Sequence, residues 1–173
     1  FTVWPRNRVR KFNAPFQKSV AIFITVAGEP KEIVRRTVKA AKELDYPHFN
    51  VYILNDGFVA KKDNWQEAED LAKELGVTCI TRQKPGGAKA GNLNHALSIT
   101  KEPFIAVFDA DHIPKPHFLT KMMGYFTSSK VGFVQSPQYY YNQDQNYVAG
   151  GSWEQQTIFF GAICKGKEGN NAA

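Results

Sequence analysis

The stretch Phe104-Ile-Ala-Val-Phe-Asp-Ala-Asp-His112 decides how the chain is read. Five apolar, strand-forming residues run uninterrupted and then deliver two carboxylates and an imidazole to one point. A strand that is apolar throughout is expected to be buried on both faces of a sheet, which is the habit of parallel sheets covered by helices. Alternation along an extended chain puts Asp109 and Asp111 on the same side, with Ala110 turned away. Two carboxylates side by side repel unless a cation lies between them. Hard oxygen ligands suit Mg²⁺ or Mn²⁺. A cation held this way bridges to the phosphates of a nucleotide. Asp-x-Asp is nevertheless short, and Asp is common in turns after strands, so the rest of the chain has to carry the argument.

Outward from this stretch, strand and helix patterns alternate. Ser19–Val26 is an apolar strand, broken by Gly28-Glu29-Pro30. Pro30 fits the first turn of a helix, and Ile33, Val34, Thr37, Val38, Ala41 and Leu44 follow at helical spacing as far as Tyr46-Pro47. Phe49–Leu54 is a second strand that closes on Asn55-Asp56-Gly57. Asn64–Leu75 is an amphipathic helix stopped by Gly76, and Val77–Thr81 is a third strand. A loop, Gln83-Lys-Pro-Gly-Gly-Ala-Lys89, leads into a helix over Ala90–Ile99. Pro103 opens the Asp109 strand. Pro114 and Pro116 open a helix from about His117 to Phe126, and Val131–Ser136 is expected as a fifth strand. The remainder, from Gln138, is aromatic and glutamine-rich with weak periodicity. The alternation argues an α/β fold, a mostly parallel sheet with helices on both faces.

Composition bounds the class. The chain has 173 residues, the length of one domain. Its 13 Phe, 7 Tyr and 3 Trp supply bulk for a core. No apolar run approaches the roughly 18 residues of a membrane span, and no signal peptide is visible. Cys79 and Cys164 do not make a disulfide framework, and Cys79 reads as a small buried hydrophobe. These features lead to the expectation of a cytosolic chain. The net charge is +6, with Arg6, Arg8, Arg10, Lys11 and Lys18 crowded into a lead segment, residues 1–18, that has no acid. A solvated tail, an arm facing anionic lipid and a nucleic-acid arm are all consistent with that charge.

In a parallel sheet, ligands bind beyond the carboxyl ends of the strands. Glu29, Asp56, the loop up to Lys89 and the pair Asp109/Asp111 all fall at strand ends, so they are expected to meet along one edge. Asp56 can accept hydrogen bonds from a base or ribose, or be a turn former in Asn-Asp-Gly. Lys89, between Gly86-Gly87 and a helix start, can meet phosphate beside free N–H groups, or be a solvated loop lysine. Glu29 can favour a helix N-terminus. The rival phosphate loops, Gly-x-x-x-x-Gly-Lys-Ser/Thr and Gly-x-Gly-x-x-Gly after the first strand, do not occur. A nucleotide diphosphate held through a metal remains.

The motifs Gly28-Glu29-Pro30, Leu44-Asp45-Tyr46-Pro47, Asn55-Asp56-Gly57, Lys89-Ala-Gly-Asn-Leu-Asn-His-Ala-Leu97, Asp109-Ala-Asp-His112 and Val134-Gln-Ser-Pro-Gln138 stand in this order. Together they resemble the cytosolic catalytic domain of family 2 inverting glycosyltransferases of the cellulose synthase-like branch, over about residues 20–173. The resemblance implies a Rossmann-like GT-A fold, incomplete at its C-terminal end, with residues 19–173 as the nucleotide-sugar-binding part. It implies a UDP-sugar donor, UDP-glucose first, and a polysaccharide acceptor. By the same resemblance Asp56 contacts uridine, Lys89 lies near base and diphosphate, and Asp109 and Asp111 engage the diphosphate and Mg²⁺ or Mn²⁺, with His112 beside them as a third metal ligand. It places the domain at the cytoplasmic face of the membrane, anchored by segments outside these residues, and implies no nucleic-acid partner. The family's aromatic near the base is absent at Ala27. Its Thr-Glu-Asp base and Gln-x-x-Arg-Trp motif are also absent, and neither Glu154 nor Glu168 stands in a matching motif. A fragment inactive by itself is therefore expected.

Two other classes stand beside this one. A metal-dependent phosphatase or nucleotidyltransferase can use the same aspartate pair, the phosphatase with Asp109 as nucleophile. A non-enzymatic RNA-binding module can stack bases on Tyr139-Tyr-Tyr141, although adjacent aromatics more often serve core and loop packing.

Overall fold

The computed structural model describes residues 18–126, 129–164 and 166–167. Most of the basic lead segment, Glu168 and Asn170-Asn-Ala-Ala173 lie outside the described residues. Two compact units divide the chain, one within Ala14–Met123 and one from Gly124 onward.

The first unit is built on a sheet of four parallel strands in the order β3-β2-β1-β4. They are β1 (Val20–Val26), β2 (Phe49–Asn55), β3 (Thr78–Thr81) and β4 (Phe104–Asp109). The helices between them are α1 (Lys31–Lys42), α2 (Glu67–Leu75) and α3 (Ala88–Leu97), and α4 (Phe118–Met123) follows β4. The chain steps outward from β1 to β3 and then returns to the far side of β1. With right-handed crossovers, this reversal puts α1 and α2 on one face and α3 on the other. The burial agrees. Ala21, Phe23, Leu54 and Ile80 form a core with Ala96 and Leu93 of α3. The alternate residues of β1, among them Ile22 and Ile24, are equally buried on the opposite face, where α1 packs on β1 and β2. Arg35 of α1 holds Glu74 of α2 with two N–H groups, one at 2.9 Å, which fixes the two helices side by side.

Four expectations need correction. β4 is covered on one face only. Phe108 is buried and meets Phe118 of α4 with ring centroids 5.0 Å apart, whereas Ile105 and Val107 are 43% and 39% exposed. In register these two lie beside Ala21 and Phe23, on the α3 side of the sheet, where α3 packs chiefly on β1 and β2. Residues 131–136 form no strand, because an apolar run becomes a strand only when a neighbouring edge pairs with it. Tyr139, Tyr140 and Tyr141 are exposed rather than packed. The helix expected from His117 is shorter and ends at Met123. The second unit contributes α5 (Tyr147–Ile158), whose N-cap Asn146 accepts from the Ala149 N–H at 2.9 Å, and a π-helical turn over Phe159–Cys164.

Cys79 is half-buried and unpaired, and burial pushes its thiol up to about 11. At pH 8 it should react with a thiol reagent about a hundredfold more slowly than a free cysteine peptide. A comparable rate in the folded chain would contradict its place in β3. Phe23 is fully buried between Tyr52 and α3. Phe23→Ala should cost about 3–5 kcal/mol in urea unfolding, and a loss under about 1 kcal/mol would sink this core assignment.

Candidate functional site

The reversal of strand order lies between β1 and β4, and the polar residues gather where those strands end. Asn55, fully buried at the end of β2, builds the first wall. Its Oδ1 accepts from the Gly57 N–H at 2.9 Å and its Nδ2 donates to the Trp65 carbonyl at 2.8 Å. Asn55 is thus the turn former of Asn-Asp-Gly, which leaves the Asp56 side chain free for another task. The Asp56 N–H is tied to the Val26 carbonyl at 2.7 Å, so the ends of β1 and β2 move together.

Asp56 spends its carboxylate on Arg82, a residue the sequence reading did not single out. The guanidinium donates from Nε to Oδ1 at 2.7 Å and from Nη2 to Oδ2 at 2.8 Å. Its remaining donors reach the carbonyls of Gly86 and of Ala88, the latter at 3.3 Å. Arg82 is 5% exposed, and its hydrogen bonds to Asp56 hold its pKa above the ordinary arginine value against the opposing effect of burial. The only sequence signal was its position one residue past the end of β3. A lone arginine after a strand is usually a surface residue, and nothing in its spacing shows a buried partner.

Arg82 shapes the loop that follows. Gly86, Gly87 and Ala88 all have positive φ, and Ala88 is the rare non-glycine case at 43°. The loop then enters α3, where a side chain on Gly91 would run into the Gly86 carbonyl and Arg82 Nη1. Lys89, in the first turn of α3, extends to Asp109 and pairs with its Oδ1. Thr25, the register partner of Asp109 on β1, donates to the same oxygen at 3.3 Å. Burial alone would raise the Asp109 carboxyl, but the Lys89 ammonium, the nearby His112 and the Thr25 hydroxyl outweigh it and hold Asp109 below the usual range.

The turn after β4 brings His112 back over both carboxylates. Nδ1 accepts from the Asp109 N–H at 3.2 Å, and Nε2 lies 3.7 Å from Asp109 Oδ2 and 3.9 Å from Asp111 Oδ1. Because Nδ1 accepts, the ring proton sits on Nε2 and faces the carboxylates. The Asp111 side chain is 74% exposed. Asp56, Lys89, Asp109, Asp111 and His112 therefore share one edge. Glu29 lies on the exit of β1, where its carboxylate folds back on the Ala27 N–H at 2.6 Å. Among the described residues no group of three His, Cys, Asp or Glu is gathered tightly enough to hold a metal. No helix of these residues is long and apolar enough to cross a membrane.

A family model described as glycosyl transferase family 2 matches residues 21–172, and the chain belongs to that family. It is 33% identical over 181 residues to the UDP-forming cellulose synthase catalytic subunit of Xanthomonas axonopodis pv. citri (strain 306), covering 98% of this chain and 24% of that protein. It is 35% identical over 149 residues to the corresponding subunit of Pseudomonas fluorescens (strain SBW25), covering 83% of this chain and 19% of that protein. The chain thus spans a quarter or less of the length of these relatives. Its fold is similar to that of a mannosyltransferase from Pyrobaculum calidifontis solved with GDP-Man and Mn²⁺, with a TM-score of 0.59 and 22% identity over 78% of this chain and 41% of that one. The fold is the GT-A arrangement that the motifs imply.

If Arg82 and Asp56 hold each other, their losses should not add. Arg82→Met leaves the part-buried Asp56 carboxylate, 15% exposed, without its partner and should cost up to about 3 kcal/mol in urea unfolding. Arg82→Met combined with Asp56→Asn should recover a large part of that loss, and strict additivity of the two single changes would rule the clamp out.

Proposed function

We propose that this family 2 chain is the donor-binding part of a processive β-glycosyltransferase of the cellulose synthase-like branch. It binds a UDP-sugar, UDP-glucose first, for metal-assisted inverting transfer of a hexose to a growing polysaccharide. The observation that carries this reading is the row Asp56–Arg82, Lys89–Asp109 and Asp111 along the strand ends where the sheet reverses its order. The names of the two relatives support the choice of UDP and of a glucan product.

Asp56 is assigned to the uridine. Arg82 occupies two of its lone-pair positions, and a carboxylate has others with which to accept from a base or ribose. Glu29, at the exit of β1, is assigned to the same end of the nucleotide. Lys89 is assigned to the diphosphate. Its ammonium rests on a half-exposed carboxylate and can exchange that contact for phosphate oxygen without crossing a buried region.

Mg²⁺ or Mn²⁺ fits the donor chemistry of Asp109 and Asp111. Two carboxylates on one side of a strand end are hard oxygen ligands, and Mg²⁺ habitually completes its shell with phosphate and water rather than with a full protein cage. When bound, such an ion offsets charge on the departing UDP. His112 was expected as a third ligand. In this geometry it presents Nε2–H rather than a lone pair, so the role it fits is to orient the two carboxylates. The catalytic base is assigned to no residue of this chain. The acceptor and the membrane, with the domain at its cytoplasmic face, are assigned to parts of the protein beyond these residues.

Calorimetric titration of the chain with UDP, with and without Mn²⁺, tests the reading, with CDP and GDP as controls and circular dichroism to certify the fold. Mn²⁺-dependent binding that prefers UDP is expected, and a folded chain that ignores UDP would overturn it. Asp111→Ala should abolish the Mn²⁺-dependent part while leaving the spectrum unchanged. Lys89→Ala should weaken UDP by about tenfold and uridine much less. An equal loss for both ligands would move Lys89 from the phosphates to the base.

A further inference from the structure

We propose that Thr37 is a positioning residue for the aspartate pair. Its hydroxyl pins the peptide between Asp109 and Asp111 so that both carboxylates face the donor phosphates. This inference rests on the donor-site reading above.

The argument starts from an asymmetry between the two aspartates. Asp109 is held through its own side chain by Lys89 and Thr25. Asp111 is largely exposed, and among the described residues its carboxylate approaches only His112 Nε2, at 3.9 Å, beyond hydrogen-bond length. The position of Asp111 is therefore set by its backbone. The residue between them, Ala110, is 4% exposed and turned into the protein. Its carbonyl accepts a hydrogen bond from Thr37 Oγ1 at 2.7 Å, across 73 positions of sequence.

Thr37 is an odd residue for its place. It is fully buried on the sheet-facing side of α1, in line with Val34, Val38 and Ala41. Valine would fill the same space without a polar atom to satisfy. A threonine inside a helix ordinarily bonds the carbonyl one turn back. Here the hydroxyl donates instead to the turn after β4. On the opposite side of that turn, the His112 N–H donates to the Asp109 carbonyl at 3.1 Å, and the Asp109 N–H donates to His112 Nδ1. The turn is thus gripped from behind by Thr37 and from in front by His112. With the Ala110 peptide fixed, it cannot rotate, and rotation is the motion that would swing Asp111 away from Asp109. Groups that act through a ligand in this way commonly change metal affinity by tenfold or more.

Two substitutions separate the hydroxyl from the packing. Thr37→Val keeps the shape and removes the donor, whereas Thr37→Ser keeps the donor and removes a methyl group. On the whole chain, Thr37→Val should weaken Mn²⁺-dependent UDP binding by about tenfold and leave uridine affinity unchanged, and Thr37→Ser should stay within about twofold of the unaltered chain. Amide hydrogen exchange needs no ligand. In Thr37→Val the amides of Ala110, Asp111 and His112 should exchange faster, while those of β1 keep their protection. The proposal is overturned if Thr37→Val matches the unaltered chain in both measurements. It is also overturned if Thr37→Ser loses as much as Thr37→Val, or if uridine affinity falls in step with UDP. Faster exchange in Thr37→Val, with no Mn²⁺-dependent UDP binding by the unaltered chain, would support the grip on the turn and overturn the donor-site reading instead.

Discussion

One buried guanidinium organises this edge of the molecule. Arg82 cannot shed its proton, so folding must supply partners for its donors or leave a charge stranded. Asp56 takes two of them in a planar fork, and the carbonyls of Gly86 and Ala88 take others. One side chain thereby ties the end of β2 to the end of β3 and to the start of α3. A lysine would offer a point charge and could not address a carboxylate and two carbonyls in separate directions. The clamp also explains a motif. Gly91 in Lys89-Ala-Gly-Asn has to lack a side chain, because any Cβ would occupy the space of the Gly86 carbonyl and of Arg82 itself. Lys89 reaches Asp109 because the turn before it is closed.

The second condition is the order of the strands. β1 lies at the centre, with β2 on one side and β4 on the other. Elements that come from distant parts of the sequence are thus neighbours in the sheet. Thr25 and Asp109 are register partners although 84 positions separate them. An edge where the order reverses has no helix crossing directly over it, which leaves room for a ligand.

Much of this was legible in the residues. Apolar runs bounded by Gly and Pro located all four strands to within a residue or two. The convergence of Asp56, Lys89, Asp109 and Asp111 followed from their places at strand ends, since a parallel sheet puts all those ends on one side. What could not be read was pairing. Arg82 and Thr37 do their work through partners 26 and 73 positions away, and neither spacing nor composition reports such a contact. The same limit explains the errors at β4 and at residues 131–136. An apolar run states that a segment prefers burial or pairing, but a neighbouring element decides whether each face finds it. Ile105 and Val107 have the right composition for a buried face and stay exposed on the edge strand, while α3 packs chiefly on β1 and β2. Ala27 shows the converse case, in which a residue of a family motif is replaced, while Phe58 and Trp65, in the segment after β2, pack edge to face on each other.

The charge balance of the site narrows what it can accept under the donor reading. Arg82 neutralises Asp56, and Lys89 neutralises Asp109. Among the described residues no lysine or arginine pairs with Asp111, so its carboxylate leaves the edge with negative charge in excess. A diphosphate adds more negative charge, and at a half-buried edge that repulsion is only partly screened. Lys89 alone cannot serve both Asp109 and the phosphates. Moving it to the phosphates uncovers Asp109 beside Asp111, which restores the repulsion that makes a carboxylate pair attractive to a divalent cation. On this balance the two roles are coupled. The nucleotide draws the lysine away, and the carboxylates it leaves behind become a better cation site than they were before.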